Sequence, residues 1–316
     1  MSFSVVIPLY NKALHIERAL KSVFNQTCQD FEIIVVNDGS SDNGREIVEN
    51  IHDSRLNLIN QSNQGVSAAR NRGIAAAQNN YVAFLDADDE WLPNFLENIL
   101  VLRNNFSDCG AYATSSKIIR PDGKTDYPLL AGIPPEPWIG IVPNFFELFQ
   151  AGYAFNASSI VVPKQILLEV GGFPAGVILF EDVTCWVNIA IRYPIAFNPK
   201  RLALYHQEAS NRSNINKYVT EAPFVNIIQT AIKDGLISRE LQGEALEFLA
   251  QRQIFTATAN VMEGDPEYAR RLLVTCANTK KYKKIWLWWR FWASFPAGWP
   301  PRIMKIKQLF QRRFSR

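Results

Sequence analysis

Four short apolar runs, each closed by a polar turn and followed by apolar residues at helical spacing, fill the first hundred residues. Phe3 to Leu9 (FSVVIPL) reads as a buried strand, and Ile16, Ala19, Leu20, Val23 and Phe24 then mark one face of a helix. Phe31 to Val36 (FEIIVV) is a second strand; it ends in NDGSSD, whose Ser and Asp residues can cap a helix carrying Ile47, Val48 and Ile51. Leu56 to Ile59 is a third strand, followed by a helix rich in small residues from Gly65 to Ala77. Tyr81 to Leu85 (YVAFL) is a fourth, followed by DADDEW and a helix from about Leu92 to Arg103. This order predicts an α/β fold, a mostly parallel central sheet with helices on both faces. Ligands of such sheets gather at the carboxyl ends of the strands. That rule singles out Pro8, Tyr10, Asp38 and the segment Asp86–Asp89 before any other argument is made.

Beyond residue 110 the text is less regular. Pro121 to Pro143 is rich in Pro and Gly and reads as a loop. A strand is expected at Ser158–Val162 and a helix near Lys164–Val170; GGF follows at Gly171–Phe173 and an acidic pair at Glu181–Asp182. From Tyr218 to about Cys276 the pattern is helical. With 316 residues, 47% of them hydrophobic and 20% charged, the chain can bury an ordinary globular core. The expected division is an α/β domain over 1–215, a helical region over 216–279, and a basic, Trp-rich tail over 280–316. The four cysteines, Cys28, Cys109, Cys185 and Cys276, form no CxxC pair and point to a reducing compartment. Neither a signal peptide nor a run of about 18 apolar residues is visible.

The chemistry concentrates in a few side chains. In an extended segment, residues two apart share a side, so Asp86 and Asp88 in LDADD can face one hard cation, Mg²⁺ or Mn²⁺, and the oxygens of a diphosphate. The plain alternative is an acidic turn capping the next helix; its position directly after an apolar strand favours the metal. Asp38 can accept the ring N–H of a pyrimidine or cap a helix, and Tyr10 can stack on the same base. Arg70, in AARNRG, is either a cation for the diphosphate or an exposed helical arginine. Glu181 and Asp182 precede a helical run, where acids are favoured in any case.

The ordered runs SVVIPLYN, EIIVVNDGSSD, NQGVSAARNRGIAAA and YVAFLDADDEW resemble the family 2 glycosyltransferases of GT-A fold. The likeness is dense over about the first 100 residues and thinner through GGF and ED to about residue 213. It implies that Pro8 and Tyr10 form the base-binding opening, that Asp38 binds a uracil ring, that Arg70 stands beside the donor, and that Asp86 and Asp88 hold a divalent metal and the diphosphate. Asp182, with Glu181 as the other possibility, is the implied general base of an inverting enzyme. No QxxRW-like motif follows the ED pair, which argues for adding a single sugar. His206, in ALYHQEASNRS, is the family-implied candidate to complete the metal shell.

The reading is therefore an inverting transferase that moves one sugar from a nucleotide-sugar, a UDP-sugar by this resemblance, to a hydroxyl of a glycan or lipid-linked acceptor, in bacterial surface polysaccharide synthesis. A Rossmann dehydrogenase is excluded by the absence of GxGxxG after the first strand. A nucleotidyltransferase and a catalytically silent scaffold remain as rivals, and nothing suggests nucleic acid. The net charge of +3 hides an asymmetry: residues 280–316 hold eleven basic and no acidic side chains, which leaves −8 on the rest. That segment also has five of the eight tryptophans, Trp286, Trp288, Trp289, Trp292 and Trp299. Tryptophan favours the membrane boundary and basic residues favour anionic headgroups. The tail is expected to lie on an anionic membrane surface, with a second amphipathic helix from about Ile303, and the enzyme to be cytoplasmic and peripheral on the inner face of the membrane. Packing of the tryptophans onto the chain itself is the alternative.

Overall fold

The computed structural model describes residues 2–208 and 220–295. The chain divides into two compact units, Met1–Ser213 and Asn214–Arg316. In the first, β1 (Phe3–Leu9), α1 (Ile16–Phe24), β2 (Phe31–Asp38), α2 (Gly44–Glu49), β3 (Leu56–Gln61), α3 (Val66–Ala76) and β4 (Tyr81–Phe84) alternate as the periodicity requires. They continue into β5 (Glu90–Trp91), α4 (Phe95–Asn105), β6 (Ala111–Ile119), β7 (Thr125–Asp126), β8 (Gly140–Ile141), α5 (Phe145–Ala151), β9 (Ile160–Pro163), α6 (Lys164–Glu169), α7 (Glu181–Ala190) and β10 (Ile195–His206).

One sheet holds these strands in the order β3-β2-β1-β4-β9-β6-β10-β5, with β7 on β6 and β8 on β10. The long pairings, β1 with β2 and β4, β2 with β3 and β6 with β10, are parallel. β9 runs antiparallel between β4 and β6 and joins the two parallel blocks. Alternate residues of β1 face opposite layers, as a strand dictates. Val5 and Ile7 join Ile16, Leu20 and Val23 of α1 and Phe95, Ile99 and Leu102 of α4 in one buried cluster. Val6 faces α3 on the other side, where a Cβ added to Gly73 would lie 2.3 Å from Val6 Cγ1. The small residues of α3 thus let its backbone lie directly on the sheet. In the same layer Phe173 packs edge-on against Phe84 and Trp186, at 5.1 and 5.6 Å, and Phe84 lies tilted to Trp186 at 6.3 Å.

β6 and β10, the longest parallel pair, are absent from the sequence reading. β6 buries Thr114, Ser115 and Ser116, which hide its strand character. β10 carries Pro199 and Lys200 mid-strand, where the register with β6 shifts between Asn198 and Arg201; the irregularity is what admits the proline.

In the second unit, α8 (Phe224–Lys233), α9 (Arg239–Glu263), α10 (Pro266–Thr275) and α11 (Lys283–Ala293) follow one another. Ile254, Ala257 and Val261 of α9, Leu272 and Leu273 of α10, and Trp286, Trp289 and Ala293 of α11 form a core of their own. Trp286 is fixed by donating Nε1–H to the Leu273 carbonyl at 2.7 Å. The aromatic segment therefore does not begin as a separate tail at 280: Thr279 Oγ1 and the Lys280 N–H both donate to Glu247 of α9 at 2.6 Å. The second helix expected from Ile303, with Trp299 before it, lies outside the described residues.

Candidate active site

The carboxyl ends of β1 and β2 are laced together by their loops. Asn11, left-handed at φ 51°, accepts the Ser41 N–H at 2.8 Å and donates its own N–H to Ser40 Oγ at 3.1 Å. Asp42 accepts from Ala13 N–H at 2.8 Å and Gly44 N–H at 3.0 Å; it starts α2 from one residue before Asn43, whose own side chain makes no capping bond. Pro8 is buried within β1, whereas Tyr10, just past it, is 45% exposed. Asp38 is 2% exposed. Its Oδ1 accepts from Gln61 Nε2 and Gln64 N–H, and its Oδ2 from Gly65 N–H, each at 2.8 Å. Asp38 thus holds the β3–α3 loop, because three donors converge on it at the strand end.

The acidic turn after β4 is held by cations. Lys12 Nζ lies 2.7 Å from Asp88 Oδ2, and Arg18 donates to the Asp88 carbonyl at 2.6 Å. Arg70 Nη2 lies 2.7 Å from Asp86 Oδ1. Asp89, the buried third acid, accepts from Ser158 Oγ at 2.5 Å and from His206 N–H at 3.0 Å. Ser158 Oγ in turn accepts the Asp86 N–H at 3.1 Å, so one hydroxyl locks the turn to the start of β9. Burial, and then Asp86 and Asp88, push the Asp89 carboxyl well above the usual range. The His206 ring pairs through Nε2 with Glu90 Oε1 at 2.9 Å. Among the described residues no three His, Cys, Asp or Glu side chains form a ready metal site. Asp86 and Asp88 nonetheless offer the hard oxygens that suit Mg²⁺ or Mn²⁺, ions that commonly take one or two carboxylates and complete their shell with phosphate and water.

The acidic pair meets this turn through one arginine. Arg70, 3% exposed, reaches Glu181 Oε1 at 3.1 Å with Nη1 while Nη2 holds Asp86. Burial opposes its charge, but Asp86, Glu181 and Asp182 together hold its pKa above the ordinary value. Its neighbour Asn71 clamps the GGF loop, donating to the Phe173 carbonyl at 2.7 Å and accepting the Phe173 N–H at 2.9 Å. That clamp sets the Phe173 ring 5.1 Å from the Arg70 guanidinium. Phe180, just before α7, is left-handed at φ 64° and aims the helix start. Asp182 accepts the Val183 N–H at 2.7 Å. Burial, and then the charge of Glu181, push the Asp182 carboxyl up to about 7 against the pull of Arg70. Groups tuned this way near neutrality mark acid–base sites.

Residues 4–123 match the family model described as glycosyl transferase family 2. Over that stretch the chain is similar to the family 2 glycosyltransferases. An uncharacterized glycosyltransferase of Rickettsia bellii is 29% identical over 239 residues, 75% of this chain and 33% of that protein. One from Nostoc is 45% identical over 103 residues, 32% of each chain. This chain therefore spans about a third of the length of these relatives. The crystal structure of Staphylococcus aureus TarS 1-349 in complex with UDP-GlcNAc superposes with a TM-score of 0.67 at 17% identity, covering 93% of this chain and 88% of that one. At that identity the likeness concerns the fold, which is GT-A as the motif order led us to expect. The matched stretch contains β1 to β4 and the acidic turn; the Glu181–Asp182 pair lies beyond it.

Sequence reasoning passed over Lys12, Arg18, Asn71 and Ser158. Lys12 had a signal, a cation three residues past β1. Ser158 had none, because its role exists only once β9 is inserted beside β4.

Proposed function

We propose that this glycosyltransferase domain is an inverting enzyme that transfers one sugar from a UDP-sugar to a hydroxyl of a glycan or lipid-linked acceptor. The observation that carries this reading is Arg70, a buried guanidinium that joins Asp86 of the acidic turn to Glu181 of the second pair. It brings a diphosphate-binding motif and a base with a raised pKa into one site, the two halves that a displacement at an anomeric carbon needs.

The donor base would lie at the β1–β2 edge against Tyr10, above Pro8 and the loop that Asp38 holds. Asp86 and Asp88 would hold a divalent metal, Mn²⁺ or Mg²⁺, which when bound neutralises charge on the departing diphosphate. Lys12 and Arg70 already stand on those carboxylates and keep the turn in place. Asp182, ionised above about pH 7, takes the proton of the acceptor hydroxyl, and that oxygen attacks from the face opposite the leaving UDP. Glu181, tied to Arg70, is the positioning partner. The basic segment 280–316 supports an anionic membrane partner, on the inner face of the cell membrane, where a lipid-linked acceptor would be found.

A panel of nucleotide-sugars with Mn²⁺ tests the reading by thermal shift, since a ligand that binds only the folded chain raises its melting temperature. Stabilisation by a UDP-sugar, and release of UDP with acceptor, are expected. Release of pyrophosphate from a nucleoside triphosphate would instead mark a nucleotidyltransferase.

A further inference from the structure

The tryptophans of α11 are sorted between two faces. Trp286, Trp289 and Ala293, at i, i+3 and i+7, are buried against α9 and α10. Lys284, Leu287, Trp288 and Phe291, at i, i+3, i+4 and i+7, point outward; Leu287 is 53%, Trp288 38% and Phe291 55% exposed. The outward rings support one another. Trp288 and Phe291 each pack on Trp292 at 5.8 and 5.2 Å, and Phe291 packs on Phe295 at 5.1 Å. A soluble helix normally spends its aromatic residues on the inward face, so a second, outward aromatic face calls for a partner.

Charge identifies the partner's class. From Lys280 to Phe295 there are five basic side chains, Lys280, Lys281, Lys283, Lys284 and Arg290, and no acidic one. Lys283 and Arg290, four residues before and three after Leu287, adjoin it on the helix surface, while each also lies over the inward Trp286 ring at 4.3 and 4.9 Å, so cations border the outward strip on that side. An apolar aromatic strip bordered by cations matches a bilayer with anionic headgroups, in which rings sit at the boundary and ammonium and guanidinium groups meet phosphates.

We infer that Leu287, Trp288 and Phe291 of α11 enter an anionic lipid surface, while Trp286 and Trp289 stay in the protein core. This rests on the membrane-surface reading proposed above and specifies which residues serve it.

The full chain is tested by flotation with vesicles of phosphatidylcholine alone and with phosphatidylglycerol added, beside the triple substitution Leu287→Ser, Trp288→Ser, Phe291→Ser. The substituted side chains lie outside the core, so an unchanged melting temperature and unchanged UDP binding confirm an intact fold. The expected result is binding of the natural chain to the anionic vesicles and roughly a tenfold or greater loss in the variant. Quenching of tryptophan fluorescence by brominated anionic lipid is expected to fall on Trp288→Phe. If the natural chain binds and the variant binds equally, the assignment to this face is overturned while membrane association stands. If the natural chain ignores anionic vesicles, both fall. If the variant instead converts a dimer to a monomer, the face serves a second copy of the chain, and the lipid proposal is overturned.

Discussion

Arg70 was legible as a motif residue, yet its position was not: a lone helical arginine gives no sign of being buried between Asp86 and Glu181. The acids around it were legible because they follow apolar strands or precede a helix, and their order along the chain is what the family resemblance reads. Asp182→Asn keeps the shape of the side chain but cannot take a proton. UDP release with acceptor is expected to fall roughly 10²-fold or more, with donor binding by thermal shift little changed; a parallel collapse of donor binding would refute the role. In the natural chain the rate should rise with pH through about 7, because the raised Asp182 must first ionise. Stability follows the opposite sign. The folded chain holds this proton more tightly than the unfolded one, whose carboxyl titrates near 3.8. Ionised Asp182 thus costs nothing below that pH, costs progressively more as pH rises toward 7, and costs its full amount above. Asp182→Asn should therefore raise the melting temperature at pH 8 and leave it unchanged near pH 4. Ser158→Ala removes the hydroxyl that links Asp86 N–H to Asp89. A buried partner left unsatisfied costs about 1–3 kcal/mol, so a lower melting temperature together with a lower transfer rate is expected.

Elements were read well wherever one periodicity ruled. β1 to β4 and α1 stand where the apolar spacing puts them, because each buries a face that the spacing displays. β6 and β10 escaped because the burial is of Thr and Ser in one case and interrupted by a shift of register in the other. The small-residue helix α3 was recognised, but the reason for its composition appears only in the packing. Gly73 lies against Val6 with no room for a methyl group. Gly73→Ala would have to push α3 off β1 and carry Arg70 and Asn71 with it. Overpacking of this kind costs about 1–3 kcal/mol or more; chemical denaturation should show that loss, and transfer should fall although position 73 touches no substrate. Full activity in a stably folded Gly73→Ala chain would show that the depth of α3 does not matter.

At the scale of the molecule, each unit has its own apolar cluster, one around β1, α1 and α4 and one around α9, α10 and α11. Composition announced a change of character near residue 280, since charge and tryptophan both shift there. It could not show that Trp286 and Trp289 complete the helical core. Ending the chain after Thr279 should therefore destabilise that unit, with aggregation or a lost unfolding transition, whereas ending it after Phe295 should leave α11 in place and the transition intact; equal melting behaviour of the two shortened proteins would contradict the packing. No helix among the described residues is long and apolar enough to cross a membrane. Separate cores also have a consequence for descent. The residues proposed to bind a donor precede residue 213 and those proposed to meet a surface follow it, so a lineage can exchange one set by recombination near that point. A chimera that joins residues 1–213 to a foreign helical unit should keep its nucleotide-sugar and change its address.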